Sequence, residues 1–133
     1  MTIFDTVVKG RGLGKALGYP TANLAHRHRI PSGVWAVEVT FGSQAYAWTP
    51  KNSLESSRKR GYVGLLVVGA FRHPDRTLAE EVHILNFHWD LYGKNISLKI
   101  LKRLRGIVPY TTDAALKNLI TQDIAYVHRH YTI

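Results

Sequence analysis

Gly10, Gly12 and Gly14 alternate directly after an apolar stretch, Ile3 to Val8, that predicts a strand. Glycines where a strand turns let a ligand approach the bare backbone. Successive N–H groups in such a turn form a concavity for anions, and Arg11 and Lys15 add positive charge there. Thr21 and Asn23 follow two residues apart, so an extended segment places their side chains on one face. A hydroxyl and an amide oxygen are hard donors that suit Mg²⁺, an ion that keeps several waters and binds substrate phosphates as well. The chemistry this stretch points to is the holding of a magnesium-bound phosphate chain.

Neither common phosphate loop accounts for it. A Walker A loop would need Gly at position 9 and Ser or Thr at position 16, where Lys9 and Ala16 stand. The dinucleotide pattern Gly-x-Gly-x-x-Gly meets Lys15 when started at Gly10 and Leu17 when started at Gly12. Gly18 and Pro20 also prevent a helix from following at once.

The full run, Gly10-Arg11-Gly12-Leu13-Gly14-Lys15-Ala16-Leu17-Gly18-Tyr19-Pro20-Thr21-Ala22-Asn23, resembles the signature of the riboflavin kinase, or flavokinase, family. Three further blocks resemble that family in the same order. They are Glu81-Val82-His83-Ile84 followed by Asp90-Leu91-Tyr92-Gly93-Lys94, then Leu104-Arg105 with Tyr110, then Ile120-Thr121-Gln122-Asp123. The resemblance implies a six-stranded antiparallel Greek-key β-barrel with a C-terminal α-helix. It implies Mg-dependent transfer of the ATP γ-phosphate to the riboflavin 5′-hydroxyl, giving FMN and ADP. By the same resemblance Gly10, Gly12, Gly14, Lys15, Gly18, Pro20 and Thr21 bind nucleotide, Thr21 and Asn23 hold the metal, Arg105 and Tyr110 bind flavin, and Glu81 is the catalytic base.

The residues depart from the family pattern in two places. The segment from Val67 to Pro74 lacks the usual Asn and has a displaced Pro, and Ile107 stands where an acidic residue is usual. These departures leave an inactive flavin- or nucleotide-binding relative as an alternative.

On a strand, Glu81 shares a face with His83, Leu85, Phe87 and Trp89, which would desolvate its carboxylate and raise its basicity. The competing reading is a rim carboxylate paired with a nearby Lys or Arg. Glu80 would point to the opposite face, so the two carboxylates are not a catalytic pair. Seven histidines invite a metal reading. However, His128 and His130 fall at helix positions that do not share a face, and His26 and His28 have no carboxylate nearby in sequence. Trp35, Trp48 and Trp89 could stack a ring, though on strands such residues usually fill a core.

The elements that must position these groups are mostly strands. Trp35, Val37, Val39 and Phe41 alternate with Glu38 and Thr40, and Gln44 to Trp48 reads as a hairpin partner. Tyr62 to Val68 is a continuous apolar run, the pattern of a strand buried on both faces. Glu80 to Trp89 and Ile96 to Ile100 follow. The period slips at Leu101-Lys102, where a bulge would return Leu104 to the inward face. Thr112 caps a helix whose first turn carries Asp113 and which has Leu116, Leu119, Ile120, Val127 and Tyr131 on one face. Closure of about six strands into a barrel would remove their exposed edges.

Residues 1–133 read as a single domain with 45% hydrophobic residues, no cysteine and a net charge of +9. No run approaches the roughly 18 apolar residues of a membrane span, and no signal-peptide pattern opens the chain, so the expectation is a cytoplasmic monomer without membrane contact. Lys51, Arg58, Lys59 and Arg60 concentrate charge in a loop, residues 50–61. That surplus supports a rival reading as a basic barrel for single-stranded nucleic acid. Such a barrel has no use for Thr21 and Asn23 at this spacing, and a buried Glu81 would repel phosphate.

Overall fold

The computed structural model describes residues 1–8, 21–41, 62–85, 92–109 and 111–131. Six strands are present: β1 (Thr2–Val8), β2 (Ala22–Leu24), β3 (Gly33–Phe41), β4 (Tyr62–Arg72), β5 (Leu78–Ile84) and β6 (Asn95–Arg105). One helix, α1 (Asp113–Tyr131), closes the described chain. The strands form a closed barrel in the order β1-β2-β5-β4-β3-β6, with every neighbouring pair antiparallel. Consecutive strands β3, β4 and β5 make a meander, and β2 lies beside β5, which is a Greek key.

Every strand contributes alternate apolar residues to one interior cluster, among them Val7, Leu24, Val39, Leu66, Val82 and Leu98. The opposite faces of β3 and β4 are buried as well. Val34, Ala36 and Leu65 form a second cluster with Leu85 and with Val127 of α1. The unbroken apolar run in β4 therefore reflects a strand caught between the barrel interior and the helix, with Leu65 and Leu66 both fully buried.

β6 carries the bulge that its sequence period predicts, and a second one beyond it. Val37 faces Ile100 and Ala36 faces Lys102, leaving Leu101 out of register; Trp35 faces Arg103 and Val34 faces Arg105, leaving Leu104 out as well. Leu104 consequently packs into the helix-side cluster, not into the barrel interior as expected, because the bulge at Leu101 shifts the alternation by one residue and puts Leu104 on the outward face. At the same place Gly33 has φ 143, and a Cβ there would lie 2.8 Å from the Arg105 carbonyl oxygen. Only glycine lets β3 start this close to the end of β6.

β5 starts two residues earlier than its sequence pattern indicates and ends at Ile84. Gln44 to Trp48, Phe87 and Trp89 lie outside the described residues. At the helix start Thr112 Oγ1 accepts from Ala115 N at 3.1 Å, the expected cap. The buried face of α1 is centred further along than the apolar pattern suggests. Asp123 and Val127 are its buried residues, whereas Leu116, Leu119 and Ile120 are only half-buried.

Candidate active site

β2 is only three residues long, yet it lies between β1 and β5 and carries Asn23 opposite Glu81. Ala22 and Leu24 point into the barrel, so Thr21 and Asn23 point out of it, and Glu81 does the same because Val82 points in. Directly paired residues share a face, which brings the carboxylate, the amide and the hydroxyl together. Thr21 Oγ1 donates to Glu81 Oε2 at 3.1 Å. Glu81 and Asn23 are buried, at 6% and 7% exposure, although they face outward. On the other side of Glu81, β4 places Val67 opposite it. Leu85, further along the same face of β5, belongs to the apolar cluster beneath α1. The carboxylate thus stands between a pair of hard oxygen donors and an apolar wall.

The donor chemistry fits Mg²⁺. A hydroxyl that gives its hydrogen to Glu81 keeps its lone pairs for a cation, and the Asn23 amide oxygen supplies a second neutral donor. Neutral ligands from the protein leave the ion's charge available to phosphate oxygens.

Arg105 ends β6 at its junction with α1. Its Nε donates to Asp123 Oδ1 and Oδ2, both at 3.1 Å, and its Nη2 donates to Oδ2 at 2.7 Å. Its Nη1 donates to the Gly106 carbonyl at 3.1 Å. The helix thus fixes the plane of the guanidinium through a carboxylate that the apolar pattern of α1 does not reveal. Ile107, at the position where the family pattern expects an acid, packs against the helix-side cluster. The departure from that pattern at residues 67–74 falls on the end of β4 and on the turn after it, which is closed by His73 and Thr77. Gly10, Gly12, Gly14, Lys15, Gly18, Pro20 and Tyr110 lie outside the described residues.

Two acidic groups that the sequence pattern leaves without a role point into the barrel. Asp5 and Glu80 share the faces of Ile3 and Val82 respectively and are buried. Asp5 engages His26 and His28 and Glu80 engages His28, so the carboxylates missing near these histidines in sequence are supplied by β1 and β5. Burial pushes the Asp5 carboxyl up. Hydrogen bonds from the His26 and His28 rings and from the backbone of His26 and Thr6 outweigh it and hold the group at about 2. No cluster of three or more histidine and acidic side chains suited to a metal ion occurs among the described residues.

A family profile described as "Flavokinase: Riboflavin kinase" matches residues 1–131. The chain belongs to the flavokinase family. Its sequence is 28% identical to the "Bifunctional riboflavin kinase/FMN adenylyltransferase" of Buchnera aphidicola (subsp. Acyrthosiphon pisum), matching over 99% of this chain and 39% of that protein. It is 31% identical to the "RNA-binding riboflavin kinase RibR" of Bacillus subtilis, over 100% of this chain and 53% of the relative. Among solved structures, one titled a macrolide-efflux protein from Streptococcus pneumoniae superposes with a TM-score of 0.74 at 26% identity, over 98% of this chain and 39% of that one. All three are longer proteins, so this chain spans between about two fifths and about half of each. The observed barrel and helix are the architecture that the sequence resemblance implies. No helix among the described residues is long and apolar enough to cross a membrane.

Proposed function

We propose that this chain is a riboflavin kinase that uses Mg-ATP to phosphorylate the riboflavin 5′-hydroxyl, releasing FMN and ADP. Membership of the flavokinase family gives the reaction class. The observation that carries the residue assignment is the convergence of Thr21, Asn23 and Glu81 across β2 and β5. Thr21 and Asn23 would hold Mg²⁺ on the nucleotide, where the ion neutralises charge on the transferring phosphoryl group. Glu81 accepts the proton of the attacking hydroxyl. The Thr21 hydrogen bond at 3.1 Å orients the carboxylate toward the metal-binding pair. Arg105, held flat by Asp123, keeps N–H hydrogens on its terminal nitrogens for flavin carbonyl oxygens. Gly10, Gly12, Gly14, Lys15, Gly18 and Pro20 complete the nucleotide site in this reading, and Tyr110 packs against the flavin.

The nucleic-acid reading has no matching feature in this arrangement, because outward-facing Glu81 would meet the phosphates such a surface must attract. The test is incubation of purified protein with riboflavin, Mg²⁺ and either ATP or CTP, with FMN read by chromatography. Appearance of FMN, dependent on both nucleotide and metal, is the expected result. Riboflavin recovered unchanged under every condition would leave a binding protein instead.

A further inference from the structure

The Asp5–His28 contact lies outside the residues assigned to phosphoryl transfer, yet it is fastened to the strand that carries Asn23 and directly follows Thr21. Asp5 Oδ1 accepts from Thr6 N at 2.6 Å and pairs with His26 Nδ1 at 2.8 Å. Its Oδ2 accepts from His26 N at 2.9 Å and pairs with His28 Nε2 at 2.6 Å. An ionised carboxylate only accepts, so the network places a hydrogen on Nδ1 of His26 and on Nε2 of His28. On the far side of the same segment, His28 N donates to Glu80 Oε2 at 2.9 Å. Glu80 Oε1 is buried without a hydrogen-bond partner and lies 3.9 Å from His28 Nε2. His28 is therefore gripped between one carboxylate from β1 and one from β5, the two strands that flank β2.

That grip falls where β2 is weakest. β2 makes two register pairs with β1 and two with β5, far fewer than a strand of ordinary length. One backbone bond, Ala25 N to Thr6 O at 3.0 Å, extends it. Residues 26–28 then leave the sheet, and the amides and rings of His26 and His28 return to Asp5 and Glu80 instead of to a ladder. Glu80 is also the chain neighbour of Glu81, so the same clamp references β2 to the segment bearing the proposed base.

We propose that Asp5 and His28 are positioning residues for phosphoryl transfer, holding β2 so that Thr21 and Asn23 stay in register with Glu81. This inference rests on the assignment of Thr21 and Asn23 to the nucleotide's metal. A group that touches no substrate but orients those that do typically changes activity or metal affinity by about 10-fold to 100-fold when removed.

The experiment compares His28→Leu, His28→Gln, Asp5→Asn and Thr21→Ala in steady-state riboflavin kinase assays and in hydrogen exchange. His28→Leu should raise the Mg-ATP KM by about 10-fold or more, leave the riboflavin KM unchanged, and speed exchange of the Asn23 and Leu24 amides. His28→Gln keeps an N–H the same number of bonds from the backbone and should restore both readings, which a purely space-filling role would not require. Asp5→Asn should act in the same direction as His28→Leu and replaces it if the leucine variant does not fold. If Thr21→Ala raises the Mg-ATP KM while His28→Leu and Asp5→Asn leave it at the wild-type value, the positioning role is overturned and the site assignment stands. If none of these variants moves the Mg-ATP KM, the site assignment fails and the positioning role falls with it.

Discussion

Thr21 gives its hydroxyl hydrogen to Glu81 and has lone pairs to spare, so its removal should affect metal and carboxylate together. Thr21→Ala and Asn23→Ala are each expected to weaken Mg-ATP binding strongly while riboflavin binding holds, as calorimetry with the two ligands separately would show. Equal Mg-ATP affinity in wild type and both variants would remove the pair from the metal site. Asp5 gives a second prediction at this scale. Its carboxyl sits at about 2 in the folded protein against an ordinary 3.8, so the folded state gives up that proton more readily than the unfolded chain. The resulting stabilisation, on the order of 1–2 kcal/mol, is complete above about pH 4 and is lost as the pH falls toward 2. In denaturant titrations the stability difference between wild type and Asp5→Asn should therefore shrink across that range. A difference independent of pH would contradict the ionised network. Thr21 and Asn23 stood out as candidates in sequence because of their spacing and side-chain type, and Glu81 through the family resemblance. Asp5 did not, because His26 lies 21 residues away along the chain and only the pairing of β1 with β2 brings the two together.

At the scale of elements, β4 was readable because burial on both faces leaves an unbroken apolar run, and the first bulge in β6 because it breaks the period at Leu101. The second bulge at Leu104 left no such trace, since a leucine suits the helix-side cluster as well as the barrel interior. The helix was legible from its Thr112 cap, but its buried face was misjudged by apolar pattern alone. Asp123 is buried there because Arg105 reaches it from β6. That pair joins the helix to the barrel at the proposed flavin side, which makes a two-part prediction. Asp123→Ala should cost about 3–5 kcal/mol, the scale for breaking a buried ion pair, reduced where water reaches Arg105. Arg105→Ala should in addition weaken the quenching of riboflavin fluorescence on mixing, with Mg-ATP affinity unchanged. Full quenching in the Arg105→Ala variant would confine this residue to a structural role.

For the whole molecule, the sequence carries 18 Lys and Arg against 9 Asp and Glu. Among the described residues Asp5, Glu80 and Glu81 are buried, which removes acidic charge from the surface of a chain whose formal charge is +9. Such a field favours the approach of anionic substrates without choosing among them. In the proposed mechanism, selection falls to the outward face where Glu81 meets Thr21 and Asn23. The barrel makes this possible by placing β2, which precedes β3 in sequence, beside β5. The closed six-stranded barrel was legible from the family resemblance, whereas the apolar pattern counted Gln44 to Trp48, outside the described residues, and not β2, whose pairing with β5 follows only from the assembled sheet. The most direct test of the account is FMN formation by Glu81→Gln, with Mg-ATP binding measured on the same sample. The variant should bind Mg-ATP as the wild type does and form FMN slower by about 10²–10⁴, the usual contribution of a general base. FMN formation at the wild-type rate would contradict the central claim that Glu81 takes the proton from riboflavin.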